Sequence, residues 1–411
     1  MKSNTSNILV LFGATGDLAR RYLLPAICTL HMADAFHVVL VGRRDWKDAD
    51  VDNYLSSVEE EFSEHPFDHS LFSYVRIDLT QPGEYQRLSE HLHSLDIENS
   101  DIVYYLSVWP GFFIPVAQSL ANHGLHTSPN GGTRRIVIEK PFGKDLKTAT
   151  LLNLEIQKYF PESDIYRVDH YLWKNAVLEL QDYRLVQGGD WWSKRVKKIS
   201  VILNEELTVL SRGEFYDANG AIRDYVQNHL LQILAIAAMG EPHSHHPDDI
   251  RDRKMQFLQS ISPLLVDPRH EICLGQYEWY RHEDGVSSDS RTETFIRVEL
   301  HSDDPLWQGV TFVLQSGKAL AKKETKIVIE FVDGTERVFE VTPKNKNNAY
   351  EALIREVFAG DQMMFVRWDS IKAAWHIVDD LIHCRDNCPM VYTYEVWSDW
   401  PVVNEKWKIK N

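Results

Sequence analysis

A glycine-containing turn that directly follows a short apolar run constrains this chain more than any other feature. The apolar run is Ile8–Phe12, and Gly13-Ala14-Thr15-Gly16-Asp17-Leu18 follows it. The first glycine permits a tight turn, and the second lets backbone N–H groups approach a pyrophosphate at the positive end of the next helix. Gly-x-x-Gly alone is a weak signal, because many turns require glycine. Its place between a buried strand and a helix favours a dinucleotide site at Gly13, Ala14, Thr15, Gly16, Asp17 and Leu18.

Predicted strands alternate with helical stretches through the first part of the chain. The helical stretches fall near 17–32 and 51–62. This alternation predicts an α/β domain, a Rossmann-like doubly wound parallel sheet. Its predicted strands are Ile8–Phe12, Val38–Val41, Tyr74–Ile77, Ile102–Leu106 and Arg135–Ile138.

The second part of the chain has a different order of elements. Its predicted strands cluster between 196 and 341, and its predicted helices lie near 221–239, 349–358 and 369–383. Clustered strands with separate helices predict an α+β domain built on a mostly antiparallel sheet. We expect the boundary near 170–190 and place it between a dinucleotide-binding domain at 1–175 and a second domain at 176–411.

Composition excludes several classes of protein. The formal net charge is −16, which disfavours nucleic acid and anionic membranes as partners, because both require a dominant basic surface. No apolar stretch approaches the length of a membrane span, and the four cysteines form no CxxC pair, so a reducing cytoplasmic location is expected. His243-Ser244-His245-His246 is interpreted as a loop, and Cys384 and Cys388 as ordinary thiols, so no metal site is predicted.

The end of the second predicted strand bears on the choice of cofactor. Gly42-Arg43-Arg44 stands where an NAD-specific site would carry Asp or Glu for the ribose 2′-hydroxyl. Arginine at this point accommodates a 2′-phosphate. Arg43 therefore favours NADP, with NAD less favoured.

Four further motifs follow in order along the chain. They are Glu139-Lys140-Pro141-Phe142-Gly143, Arg167-Val168-Asp169-His170-Tyr171-Leu172-Trp173-Lys174, Gly220-Ala221-Ile222-Arg223-Asp224 with Gln227-Asn228-His229, and Ser316-Gly317-Lys318-Ala319-Leu320. Together with the Gly13–Gly16 loop, they resemble the signature segments of the glucose-6-phosphate dehydrogenase family over nearly the whole chain. The resemblance implies oxidation of glucose 6-phosphate at C1 to 6-phosphogluconolactone with NADP.

The resemblance also implies a role for each matched residue. His229 is expected to be the general base, and Asp169 the carboxylate that orients it. The residues expected to bind the sugar phosphate are Lys140, His170, Tyr171, Lys174, Glu205, Asp224, Lys318 and Lys323. Lys140 is also expected to contact the cofactor, and Pro110 to bring backbone near the nicotinamide. A homodimer formed by the second domain is expected.

The chain departs from the family pattern near the expected sugar site. Tyr22 stands at a usual lysine, Trp173 at a usual glycine and Gln315 at a usual arginine. The chain is also shorter between Val341 and Tyr350. These departures leave open a dehydrogenase for another sugar 6-phosphate, such as glucosamine 6-phosphate or N-acetylglucosamine 6-phosphate. They also leave open a non-catalytic phosphosugar-binding homologue and a general sugar oxidoreductase.

Overall fold

Two compact units make up the part of the chain that the structure, a computed structural model, describes: residues 7–31, 36–95, 97–187, 192–341, 349–387 and 392–399. The first unit holds the described residues up to Gly143, Lys147–Trp173 and the segment from 349 to Trp368. The second unit holds the other described residues. The domain boundary between 175 and 176 stays a prediction.

Six parallel strands form the sheet of the first unit, in the order β3-β2-β1-β4-β5-β6. The central strands are apolar and buried on both faces, as a sheet covered by helices on both sides requires. This confirms the predicted Rossmann-like doubly wound sheet. The strands are β1 (Asn7–Phe12), β2 (His37–Gly42), β3 (Phe72–Arg76), β4 (Asp101–Leu106), β5 (Arg134–Glu139) and β6 (Ile165–Val168).

Helices follow the strands of this sheet along the chain. The first helical turn after β1 includes a π-helical stretch, Ala19–Leu23, and the residue at which we predicted its end, Met32, lies outside the described residues. The α-helices are Leu24–His31, Asp48–Phe62, Tyr85–Ser94, Phe113–Asn122, Leu146–Gln157 and Ala349–Ala359.

A late segment of the chain completes the first unit. Arg135 Nη1 donates to the Phe358 carbonyl at 3.0 Å, and Gln362 Nε2 donates to the Ile165 carbonyl at 3.2 Å. The Val366 amide donates to the Arg167 carbonyl at 3.0 Å. Residues after 349 therefore satisfy polar groups on strands β5 and β6, which lie about 200 residues earlier.

Seven strands form the sheet of the second unit, in the order β12-β11-β7-β10-β9-β8-β13. Two neighbouring pairs, β7 with β10 and β8 with β13, are parallel, and the others are antiparallel. The sheet is mixed and mostly antiparallel, which confirms the predicted α+β architecture. The strands are β7 (Val196–Asn204), β8 (Glu271–Tyr277), β9 (Phe295–Leu300), β10 (Thr311–Gly317), β11 (Glu324–Phe331), β12 (Glu336–Glu340) and β13 (Tyr392–Tyr394).

The prediction of one continuous helix over 221–239 is wrong. The helical region begins earlier, breaks at Gly220 (φ 66°, ψ 179°) and continues as a π-helix over Ile222–Leu230. Only then does a regular, wholly buried α-helix, Leu231–Ala238, pack on β7. The α-helices of this unit are Asn175–Gln187, Gly213–Ala221, Leu231–Ala238, Pro247–Ser260 and Trp368–Asn387, the last beginning at the edge of the first unit.

The histidine-rich segment and one of the late cysteines lie among the described residues. His243 to His246 form a loop, and the His246 ring accepts from the Asp248 amide at the start of the next helix. Cys384 is buried, and Cys388 lies outside the described residues, as do residues 342–348 of the shortened stretch. Within the described residues, no helix combines the length and hydropathy that a bilayer-spanning segment requires.

Candidate active site

The glycine loop lies at the carboxyl end of β1, where the sheet order reverses between β1 and β4. Gly13 has a φ of +75°, and a Cβ atom there would lie 2.1 Å from the Ser107 carbonyl oxygen. The Gly13 and Ala14 amides both donate to the Val41 carbonyl, at 3.0 and 3.2 Å. These contacts hold the loop against the ends of β2 and β4. A ligand at this position would lie in the crevice that doubly wound folds use for nucleotides.

The helix that follows the loop begins at Asp17 and directs its positive end towards that crevice. Thr15, Gly16 and Leu18 belong to this turn, and the Arg20 amide donates to the Gly16 carbonyl at 3.0 Å. The Asp17 carboxylate pairs with Arg21 at 2.6 Å on the exposed surface. The backbone and the small residues of the turn therefore suit a pyrophosphate.

Arg43 and Pro110 lie at the carboxyl ends of β2 and β4, on either side of the loop. Arg43 is exposed, directly after Gly42. Pro110 begins a 3-10 turn, and the indole of the preceding Trp109 is 69% exposed. Both positions agree with a dinucleotide lying across the carboxyl edge of the sheet.

Strands β5 and β6 end at two of the predicted site residues. Lys140 follows β5, and Asp169 follows β6 and is only 1% exposed. Asp169 Oδ1 accepts from the Tyr171 amide at 3.1 Å, which fixes the carboxylate against the short helical turn His170–Trp173. The sequence pattern did not predict β6, because four residues that include a charged Arg167 do not give a strand pattern.

Sequence reasoning also missed a buried pair beside Lys140. Tyr105 Oη donates to Glu139 Oε1 at 2.6 Å, and both residues are buried. Burial raises the pKa of Glu139 to about 7, and the hydrogen bond from Tyr105 opposes this rise. Glu139 belongs to the Glu-Lys-Pro motif, and that membership was the signal that pointed to it.

The departures from the family pattern have distinct environments. The Trp173 indole is buried against Phe365 and donates to Glu356 Oε2 at 3.0 Å. Its bulk is therefore accommodated in the core of the first unit. The Tyr22 ring is 48% exposed and lies 5.9 Å from that of Tyr350.

The π-helix Ile222–Leu230 carries both Asp224 and His229. In an α-helix, at about 100° per residue, side chains five residues apart point about 140° apart. In a π-helix the hydrogen bonds run from i to i+5 and each turn holds more residues, so side chains five apart point in more similar directions than they do in an α-helix. The π form therefore brings Asp224 and His229, which is 1% exposed, towards one face of the helix.

Glu205 and Lys318 follow neighbouring parallel strands of the second unit. The register pairs Asn204 of β7 with Gly317 of β10, so the two residues that follow them emerge side by side. Lys318 Nζ donates to Glu205 Oε2 in a short ion pair and lies 3.3 Å from Tyr225 Oη. This ammonium, held between a carboxylate and a phenol, can donate to a sugar oxygen.

Lys174 and Lys323 form a second group of cations in this unit. Burial lowers the pKa of the Lys174 ammonium, and the positive charge of Lys323 lowers it further. Like charges held near each other are stabilised by an anion between them. The pair therefore suits a phosphate ester.

Asp169 belongs to the first unit and His229 to the second, so their pairing stays a prediction. The same holds for the other site assignments taken from the resemblance.

Comparison with known proteins gives matches over both units. The sequence profile described as "Glucose-6-phosphate dehydrogenase, NAD binding domain" matches residues 10–179, and that described as "Glucose-6-phosphate dehydrogenase, C-terminal domain" matches 188–348 and 336–408. Glucose-6-phosphate 1-dehydrogenase of Bacillus subtilis is 34% identical over 93% of this chain and 92% of its own length. A cytoplasmic isoform of Arabidopsis thaliana is 31% identical over 92% of this chain and 86% of its own.

Solved structures agree with these matches. The crystal structure of glucose-6-phosphate 1-dehydrogenase from Mycobacterium avium superposes with a TM-score of 0.80 at 29% identity, covering 98% of this chain and 96% of that one. A glucose-6-phosphate dehydrogenase solved in complex with glucose 6-phosphate shares the fold, with a TM-score of 0.85 at 24% identity, covering 99% of this chain and 98% of that one. With both domain profiles matched and relatives above 30% identity over most of its length, the chain belongs to the glucose-6-phosphate dehydrogenase family.

Proposed function

We propose that this protein oxidises glucose 6-phosphate at C1 to 6-phosphogluconolactone with NADP. The observation that carries the proposal is family membership over both units, in a chain whose His229 is buried on the π-helix that also carries Asp224. A bound nicotinamide supplies the hydride acceptor for this oxidation. The residues of the chain supply binding, orientation and a proton acceptor.

In this proposal, His229 is the general base that takes the C1 hydroxyl proton as hydride leaves C1. A neutral imidazole accepts a proton effectively near pH 7. Asp169 orients the ring and stabilises the imidazolium that forms. The rigid backbone contact between Asp169 and the Tyr171 amide supports this role, because an orienting carboxylate must itself be held in place.

The sugar phosphate is proposed to bind through two sets of groups. Lys174 and Lys323 supply positive charge to the phosphate, with His170 and Tyr171 as further donors. Glu205, Asp224 and Lys318 bind sugar hydroxyls, and Lys140 lies between sugar and cofactor. A hydroxyl missing from an analogue would leave these groups unpaired, which gives strong discrimination between sugars.

NADP rather than NAD is the proposed cofactor. Arg43 supports this, because it is exposed at the end of β2, where the adenosine ribose of a dinucleotide lies in this fold. A guanidinium there pairs with a 2′-phosphate.

A second candidate substrate is another hexose 6-phosphate, such as glucosamine 6-phosphate or N-acetylglucosamine 6-phosphate. The observation in its favour is Tyr22, a partly exposed phenol beside Tyr350 at a position where the family usually has a cation. A phenol replaces charge with an aromatic surface and a single hydroxyl.

The deciding experiment is a panel of hexoses and hexose 6-phosphates assayed for NADPH and NADH formation. Fastest turnover of glucose 6-phosphate with NADP is expected. Equal or faster turnover of an amino sugar phosphate would overturn the proposed substrate, and no turnover across the panel would favour a non-catalytic phosphosugar-binding protein. His229→Asn should abolish turnover while glucose 6-phosphate still binds, and wild-type turnover in that variant would remove His229 from the mechanism.

The sheet of the second unit carries an open cleft of about 750 Å³, lined by residues of five strands that include Lys198, Arg297 and Glu330. We propose a homodimer through this sheet, as the family resemblance implies, in the cytoplasm. Light scattering on the purified chain tests the dimer, and a monomer at micromolar concentration would refute it.

A further inference from the structure

The π form of Ile222–Leu230 is held by contacts at its start and near its end. At the start, the preceding helix breaks at Gly220, whose φ of +66° is open to glycine. A Cβ atom there would lie 2.3 Å from Glu293 Oε1. The Glu293 carboxylate therefore fills the space that a side chain at the Gly220 break would require.

Glu293 caps the π-helix from a distant part of the chain. Its Oε1 accepts from the Ile222 amide at 2.9 Å, and its backbone carbonyl accepts from the Ala221 amide at 3.1 Å. The residue is 0% exposed, and Arg385 Nη1 lies 3.4 Å from Oε2. A buried carboxylate at the positive end of a helix satisfies amides that the helix cannot satisfy itself.

Asn228 acts near the other end of the same helix. Its Nδ2 donates to the Arg223 carbonyl at 3.2 Å, five residues earlier. Its Oδ1 accepts from the His229 amide at 2.6 Å. A side chain that inserts into the backbone hydrogen-bond ladder in this way widens the turn.

The form of this helix sets the angle between the side chains of Asp224 and His229, its two candidate site residues. If the helix relaxed to the α form, Asp224 and His229 would diverge to about 140° apart. An imidazole and a carboxylate that act on one sugar ring require a common direction.

We propose that Glu293 and Asn228 are positioning residues, which hold Ile222–Leu230 in its π form and thereby keep Asp224 and His229 on one face. The inference rests on the proposed role of His229 as general base. Neither residue contacts the substrate in this scheme, and each acts through the helix that it fixes.

The test uses Asn228→Ala and Glu293→Gln in the full-length protein. The first removes both side-chain hydrogen bonds, and the second keeps the shape but removes the charge. Each should lower kcat/KM for glucose 6-phosphate by about tenfold to a hundredfold. Each should also displace the acidic limb of the pH–rate profile, because the surroundings of His229 change when its ring turns away from Asp224.

Two matched controls isolate positioning from general destabilisation. Asn219→Ala removes a comparable bond, from Nδ2 to the Phe215 carbonyl at 2.6 Å, on the helix before the Gly220 break. Glu299→Gln removes a carboxylate that pairs with Arg297 at 2.8 Å within strand β9. Both controls should keep the wild-type pH profile and kcat/KM.

The outcomes separate this inference from the proposed function. If His229→Asn abolishes turnover but Asn228→Ala and Glu293→Gln behave like their controls, the positioning roles are wrong and the base assignment stands. A fall in rate with an unmoved acidic limb also contradicts positioning and indicates a purely structural role. If His229→Asn turns over normally, the base assignment itself fails.

Discussion

Tyr105 Oη and Glu139 Oε1 form a 2.6 Å hydrogen bond inside the first unit, where both side chains are buried. Burial raises the pKa of Glu139 to about 7, from an ordinary value near 4.5. Between these two values the folded protein binds a proton that the unfolded chain releases. The free energy of unfolding should therefore fall as pH rises through this window, by on the order of 3 kcal/mol from this group.

Glu139→Gln tests this linkage by urea unfolding between pH 4.5 and 8. The variant should gain stability relative to the wild type as pH rises, because its amide has no charge to bury. Burial also raises the pKa of Glu356 to about 7, but that contribution is common to both proteins and cancels. Parallel stability curves for the two proteins would contradict the prediction.

Gly13→Ala should greatly weaken NADP binding, because the new Cβ meets the Ser107 carbonyl at 2.1 Å and must displace the loop. Gly124→Ala is the matched control, since Gly124 has a similar φ of +71° but no atom of the described residues lies within 4 Å of the place that its new methyl group would take. Both variants bear the left-handed backbone cost of about 1 kcal/mol. NADPH fluorescence titration should show a loss of affinity of at least about tenfold for Gly13→Ala alone. Equal affinities of the Gly13→Ala and Gly124→Ala variants would refute the prediction.

Trp173→Phe should destabilise the protein without altering sugar-phosphate binding. The variant loses the 3.0 Å bond to Glu356 and leaves a partly buried carboxyl without that donor, at a cost of about 1–3 kcal/mol. Trp173→Gly should cost more, about 3–5 kcal/mol, because it opens a cavity beside Phe365. Urea unfolding and KM for glucose 6-phosphate are the measurements. A change in KM without a loss of stability would place the indole in the binding site instead.

Lys323→Ala should raise KM for the sugar phosphate by about tenfold to a hundredfold, since one phosphate contact is worth roughly 1.5–3 kcal/mol when charge-assisted. It should also raise the pKa of Lys174, because the neighbouring positive charge that depresses it is gone. Lys322→Ala is the control, as Lys322 is exposed and pairs with Glu324 at 3.2 Å. Equal effects of the two substitutions would argue against a phosphate role for Lys323.

Arg43→Ala should weaken NADP far more than NAD, because only NADP carries the 2′-phosphate that the guanidinium is proposed to bind. The measurement is kcat/KM for each cofactor at saturating sugar phosphate. A similar loss for both cofactors would remove the specificity role and leave Arg43 as a general surface cation.

The alternation of strands and helices in the sequence was enough to predict the sheet of the first unit. Apolar runs such as Ile8–Phe12 are buried on both faces and so carry a strong strand signal. Strand β6 was missed because Arg167 lies in its middle, where Glu162 neutralises it at 2.6 Å. No local pattern reveals a charge that is paired within the fold.

The helix around His229 shows a second limit of prediction from sequence. Apolar periodicity indicated a helix near 221–239. It could not indicate the π form, because nine residues cover too few helical turns for the period of a π-helix to be distinguished from that of an α-helix. The break at Gly220 depends on Glu293, which is more than 70 residues away. The candidate site residues themselves came from family motifs, while the environments of Glu139 and Glu293 became evident only from their burial and hydrogen bonds in the fold.

The late segment of the first unit has a consequence for biosynthesis. Strands β5 and β6 leave the ribosome well before the residues that bond Arg135 and the Ile165 carbonyl have been translated. At a translation rate of about 5–20 residues per second, the final helix of the first unit is synthesised on the order of ten seconds or longer after the sheet. During that interval the edge at β6 is uncovered, so chaperones that shield nascent chains should matter more for this protein than for one whose nucleotide-binding region is contiguous.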